Sequence, residues 1–152
     1  MGFQDFLIEI NENSTTAKFG NKNAESSKLN LNLATQTKIA QIKEGKIKPN
    51  KDEIRDFGEE LRNALFEGEI AKLFDDAKKN AKNSGLGTRI LLKTDAKFTD
   101  YPWEMMCENR TPLAIDKRTP LIRIFDGNTN SIRIPEQRLQ ILFISSQVAG
   151  KP

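Results

Sequence analysis

The chain has 152 residues, of which 37% are hydrophobic and 30% charged, and it carries a net charge of +3. It has one cysteine and no histidine, which excludes an internal disulfide, a cysteine-rich zinc site and a Ser-His or Cys-His catalytic pair formed within the chain. No apolar run is long enough to span a membrane and no signal peptide is recognisable, so we expect one cytoplasmic domain without catalytic, cofactor-binding or metal-binding residues.

The positive charge is concentrated in the last third of the chain. Residues 110–152 contain seven cations and three anions. A solvated surface of mixed charge is the favoured interpretation of this bias, and a surface for an acidic partner or nucleic acid is the alternative. No basic motif interleaved with aromatic residues accompanies it. We therefore do not expect nucleic acid as a partner, and an RNA-binding protein is the least favoured alternative.

Residues 1–34 are predicted to form a small antiparallel β-meander. Phe3–Ile10 has a strand pattern, with Phe6, Ile8 and Ile10 on one side and Leu7 and Glu9 on the other. Thr15–Phe19 is a second extended segment. Lys28–Leu33 alternates again, with a leucine at every second position. This alternation predicts three strands with one buried and one solvated face.

Residues 35–86 are predicted to be helical. Thr35–Glu44 is typical of a short helix with Thr35 as its N-cap, and Asp52 is the expected N-cap of a longer one. Two stripes with apolar spacings of three and four then predict two amphipathic helices, each with a buried face. The first stripe comprises Ile54, Phe57, Leu61 and Leu65, and the second comprises Ile70, Leu73, Phe74, Ala77 and Ala81.

Residues 87–152 are predicted to supply further sheet strands, namely Arg89–Lys93, Pro112–Ile115, Leu121–Phe125 and Leu139–Ser145. The last of these is almost continuously apolar, which is typical of a strand covered on both faces. The expected fold is thus α+β or α/β. It would be a single module of N-terminal antiparallel strands, two or three amphipathic helices and the strands of a mixed sheet with an incomplete core.

Three segments in this order resemble a known family. They are the helix Phe57–Phe66, the strand Gly87–Leu92 and the Pro-Trp-Glu segment Tyr101–Met106, followed by Pro112–Ile115 and Thr119–Arg123. Together they are similar to the N-terminal half of a CHAT domain, the caspase-related module named for its association with helical repeat proteins. The resemblance implies a caspase-like mixed sheet.

The resemblance also implies a function. Active members of the family are cysteine peptidases related to caspases and separase, and their His and Cys lie beyond the region matched here. The chain would then be the non-catalytic N-terminal portion of such an endopeptidase, supporting a catalytic core in bacterial defence or regulated cell death. Its partner would be the catalytic part of the same protein or another chain, and a protein substrate would bind through that part. The alternative is a self-contained CHAT-like adaptor without enzymatic activity.

Four residues are predicted to form a structural motif: Pro102, Trp103, Glu104 and Arg123. Trp103 offers a large apolar surface that could anchor its loop to the sheet. Glu104 and Arg123 could pair through a bidentate contact that holds Pro102 and Trp103 against the strands. Cys107 has no histidine to deprotonate it, so we expect a buried free thiol and not a catalytic nucleophile.

Overall fold

The computed structural model describes residues 2–29 and 31–124, which form a mixed β-sheet with helices. The strands are β1 (Phe3–Ile10), β2 (Ser14–Phe19), β3 (Lys22–Ser27), β4 (Gly87–Thr94), β5 (Cys107–Glu108), β6 (Thr111–Pro112) and β7 (Leu121–Ile124). The helices are α1 (Leu33–Lys43), α2 (Lys51–Leu65), α3 (Gly68–Asn83) and α4 (Ala96–Thr99), with short 3-10 helices at Trp103–Met105 and Leu113–Ile115.

The main sheet has the strand order β3-β2-β1-β4-β7. β1, β2 and β3 form an antiparallel meander, whereas β4 runs parallel to β1 and β7 runs parallel to β4. Helices α1, α2 and α3 lie in the connection between β3 and β4. The expected α+β fold with a mixed sheet is confirmed.

One face of the sheet packs against the helices. Alternate residues of β1 and β4 are fully buried there, among them Phe6, Ile8 and Ile90. The ring of Phe6 lies 5.0 Å from that of Phe74 on α3, which ties the sheet to the predicted apolar stripe of that helix. The intervening residues of β1 and β4 lie on the opposite face, where Asp5 and Arg89 form a bidentate ion pair across the strands at 2.7 and 2.9 Å.

The two amphipathic helices are confirmed, but both predicted N-caps are wrong. Asn50 caps α2, accepting hydrogen bonds from the N–H groups of Asp52 and Glu53, and the Glu53 side chain accepts one in return from the Asn50 N–H. Asn32 caps α1 by accepting from the Thr35 N–H at 2.8 Å. Each helix therefore begins earlier than predicted, because an asparagine upstream caps it as well as Thr35 or Asp52 would.

Two predicted strands are also wrong. The third strand of the meander is β3 and not Lys28–Leu33, because Gly20 adopts a φ of 57° and turns the chain back at once onto β2. The alternating leucines of that segment are buried in a loop or begin α1. The predicted strand Pro112–Ile115 is wrong beyond Pro112, which ends β6, because the chain turns there into a 3-10 helix over Leu113–Ile115.

The other strand predictions have mixed outcomes. Arg89–Lys93 lies within β4, and the segment predicted as Leu121–Phe125 forms β7 up to Ile124. Phe125 and the predicted strand Leu139–Ser145 lie outside the described residues.

Candidate functional site

The Pro-Trp-Glu segment follows β4 and α4 and folds around Trp103. The Trp103 side chain is completely buried, and its indole N–H donates a hydrogen bond to the Phe98 carbonyl at 2.9 Å. The Tyr101 ring stacks on the indole with 5.6 Å between ring centroids. Pro102 precedes a 3-10 turn and accepts a hydrogen bond from the Met105 N–H at 2.9 Å. Trp103 thus anchors the segment, because its apolar ring is buried while its one polar group, the indole N–H, keeps a hydrogen-bond partner.

Arg123 of β7 binds this segment from the sheet. It pairs in register with Leu92 of β4 and so lies on the face of the sheet that the helices cover. Its Nε and Nη2 donate to the two carboxylate oxygens of Glu104 at 2.6 and 2.5 Å, a bidentate pair. It also donates to the main-chain carbonyls of Tyr101, at 2.7 Å, and Thr99. We call this arrangement the Arg123 clamp: one guanidinium joins β7 to residues 99–104.

The clamp holds Glu104 in its charged form. The hydrogen bonds from Arg123 lower the pKa of the Glu104 carboxyl below its usual range, and they outweigh the opposing effect of partial burial. An ionised carboxylate has no proton to donate, and both Glu104 oxygens already accept hydrogen bonds from Arg123. The geometry therefore gives Glu104 a structural role.

Helix α2 packs against the other side of the Pro-Trp-Glu segment, and Gly58 lies at the point of contact. A Cβ atom placed on Gly58 would lie 2.0 Å from the Met105 carbonyl oxygen and 2.8 Å from the Cys107 sulfur. Real Cβ contacts are never that short, so only glycine lets the helix approach here. Close packing of α2 therefore fixes the backbone just after Trp103.

Cys107 lies in this tight contact and is completely buried. Its thiol donates to the Met105 carbonyl with 3.3 Å between sulfur and oxygen. Burial raises the pKa of the Cys107 thiol, and the nearby Glu59 carboxylate raises it further. Because a nucleophilic cysteine needs an accessible thiolate and a neighbouring base, Cys107 has none of the properties of a peptidase nucleophile.

The hairpin formed by β5 and β6 fastens the same region to α2. Asn109 and Arg110 at its tip have φ values of 49° and 60°, the left-handed conformation of a tight two-residue turn. The Arg110 guanidinium contacts Asp52 and Asp56 of α2 at 2.8 Å each, and its backbone N–H donates to Glu59 at 2.7 Å.

A second charged contact joins the hairpin to both long helices. One carboxylate oxygen of Glu108 accepts from Arg62 of α2 and from Lys78 of α3, each at 2.8 Å. All three side chains are about one-fifth to one-quarter exposed. Partial burial makes such a shared contact stronger than a solvent-exposed ion pair.

The structure brings together the residues that the sequence singled out. Glu104 and Arg123 are paired, and Pro102 and Trp103 lie directly before Glu104 in the clamped segment. Gly58, Glu108 and Arg110 were missed as partners of this segment. A glycine inside an apolar helical stripe usually marks a close packing contact, and that signal could have identified Gly58.

No group of three or more potential metal-ligating side chains comes together within residues 2–29 and 31–124. No helix in that part of the chain is long and apolar enough to cross a membrane. Comparisons with protein-family models, curated proteins and solved structures gave no match for this chain.

Proposed function

We propose that the chain is the non-catalytic N-terminal portion of a CHAT-like cysteine endopeptidase. It would pack against the catalytic part of the enzyme and support that part's sheet. The proposed setting is the cytoplasm, in bacterial defence or regulated cell death, with a protein substrate bound through the catalytic part.

The observation that carries the proposal is the position of β7. It pairs with β4 along one side, and no described residue pairs with its other side. Parallel strands typically occur in sheets with both faces covered, and an unpaired strand edge presents N–H and C=O groups with which a further strand can pair. The outer edge of β7 therefore supports the proposal that further strands of a catalytic core add to the sheet there.

The Arg123 clamp adds a mechanical argument. The described part of β7 has four residues, and Arg123 is one of them. Four hydrogen bonds from its guanidinium fix the strand to the Trp103 segment, which α2 and the hairpin hold in turn. An edge held in this way would present a defined register to the next strand at little conformational cost.

The chemistry of the chain agrees with a supporting role. It contains no histidine, and its one cysteine is buried with a raised pKa. Any hydrolysis of a peptide bond by a cysteine dyad must therefore use residues outside these 152.

The proposal can be tested on the native product, isolated with antibodies raised against the recombinant chain. The product is treated with a peptidyl acyloxymethyl ketone, which alkylates the active cysteine of caspase-like peptidases, and its intact mass is measured. We expect a labelled polypeptide that is larger than the 152-residue chain and contains its sequence. The recombinant chain and its Cys107→Ser variant should both remain unlabelled.

An unlabelled native product of 152 residues would contradict the proposal. It would favour the alternative of a CHAT-like adaptor that binds a partner protein and has no activity.

A further inference from the structure

A cavity of about 380 Å³ lies between α1, the loop that follows it and α2. It is separate from the Arg123 clamp and shares no lining residue with it. Its apolar surface comes from Ile42, Ile47, Pro49 and Phe57. Phe57 is almost completely buried, whereas the other three are half-buried and face the cavity. The chain thus leaves a patch of apolar surface open to solvent at this place.

Two lysines lie beside this apolar surface. Lys38 of α1 is half-buried and Lys48 of the loop is exposed, and neither side chain has an ion pair or hydrogen bond with any residue the structure describes. Neighbouring cations do have partners: Lys43 pairs with Asp100 at 2.8 Å and Lys46 with Glu44 at 2.6 Å.

One acidic residue also lines the cavity. The Glu53 carboxylate accepts a hydrogen bond from the Asn50 N–H at 2.8 Å in the capping box of α2, so it is already engaged by the start of that helix. With Gln41 as the remaining polar side chain, the lining carries two cations and one anion. Its net charge favours a ligand with a single negative charge.

We propose that this cavity binds a small monocarboxylate with an apolar chain. The chain would occupy the surface formed by Ile42, Ile47 and Phe57, and the carboxylate would lie between Lys38 and Lys48. The volume is at the lower end of the range for small-molecule pockets, about 300–1,000 Å³, and suits a ligand of medium chain length.

The probe for this proposal is octanoate, titrated into the isotopically labelled chain and followed by amide NMR. We expect saturable shifts confined to residues 38–57 at ligand concentrations up to about 10 mM, a range suited to the modest affinity of so small a ligand. Octanol, which has the same chain and no charge, should bind at least about tenfold more weakly.

A double variant, Lys38→Ala with Lys48→Ala, tests the cations. It should weaken octanoate binding by about tenfold or more and leave octanol binding unchanged. The matched control is Lys18→Ala with Lys79→Ala, which removes the same charge from β2 and α3, away from the cavity. A further variant, Ile47→Glu, places a carboxylate against the apolar surface and should abolish binding in a chain that still folds by circular dichroism.

Three results would overturn the proposal. They are shifts that do not saturate, equal affinity for octanol and octanoate, and equal loss of binding in the lysine variant and its control.

Discussion

The Arg123 clamp can be tested with a double-mutant cycle on Glu104 and Arg123. The variants Glu104→Ala, Arg123→Ala and the double variant are each unfolded in urea, and the coupling energy is the departure of the double variant from the sum of the single ones. This quantity isolates the contact between the two side chains from the other effects of each substitution.

The solvent exposure of the two side chains determines how large their coupling energy should be. The Arg123 side chain is 21% exposed and that of Glu104 is 55% exposed. Exposed ion pairs contribute about 0.2–1 kcal/mol, and hydrogen bonds to charged groups about 1.5–3 kcal/mol when shielded from water. A bidentate pair between these limits should give a coupling of about 1 kcal/mol.

The single substitution Arg123→Ala should cost more than this coupling. It also removes Nη1, which donates to the Thr99 carbonyl, and Nη2, which donates to the Tyr101 carbonyl, so we expect a total loss of about 2–3 kcal/mol. Arg123→Lys keeps the charge but cannot donate in a bidentate geometry, and it should lose most of the coupling while still folding.

The control cycle uses Glu69 and Lys72, a solvent-exposed pair on α3 whose side chains are 67% and 74% exposed. Its coupling should be clearly smaller than that of Glu104 with Arg123, because both of its side chains are solvent-exposed. A coupling between Glu104 and Arg123 below about 0.3 kcal/mol would refute the clamp as a stabilising contact.

Three further predictions follow from the same region. Gly58→Ala should lower stability in urea by about 2 kcal/mol or more, because the new Cβ clashes with the Met105 carbonyl; a gain of about 1 kcal/mol, as helix propensity alone would give, would contradict the packing. Because the folded-state pKa of Glu104 is lowered, the stability that its carboxylate contributes should be present above about pH 4.5 and be lost as pH falls through the folded-state pKa. The difference in unfolding free energy between the wild type and Glu104→Gln should therefore shrink between pH 7 and pH 3. The native Cys107 thiol should react with an aromatic disulfide reagent only as fast as the protein opens, and at once in urea; rapid reaction of the folded protein would show that the thiol is accessible.

Local patterns in the sequence correctly predicted the helices and strands that bury one face in the hydrophobic core. The stripes of α2 and α3 and the alternation of β1 each reflect burial on one face, so periodicity alone identified them. The same reasoning failed for Lys28–Leu33, because Leu29 and Leu31 are buried in a loop and the exposed Leu33 begins α1. Alternation records which residues are buried and does not record hydrogen bonding between strands.

Most contacts between distant parts of the chain could not be predicted from the sequence. The parallel pairing of β1 with β4 joins segments more than seventy residues apart, and no local signal specifies it. The pairing of Glu104 with Arg123 was suggested by residue type and motif position, and the structure brings the two together. Arg110 gave no such signal, since its contacts to α2 depend on the left-handed turn at the tip of the hairpin.

The most direct test of the proposed function is to locate the label in the native product after treatment with the acyloxymethyl ketone. Tandem mass spectrometry of the digested protein identifies the alkylated cysteine. We predict that the label lies on a cysteine outside the 152-residue sequence but on the same polypeptide, and that Cys107 is unmodified. A label on Cys107 would contradict the account, because it would make this buried thiol the nucleophile.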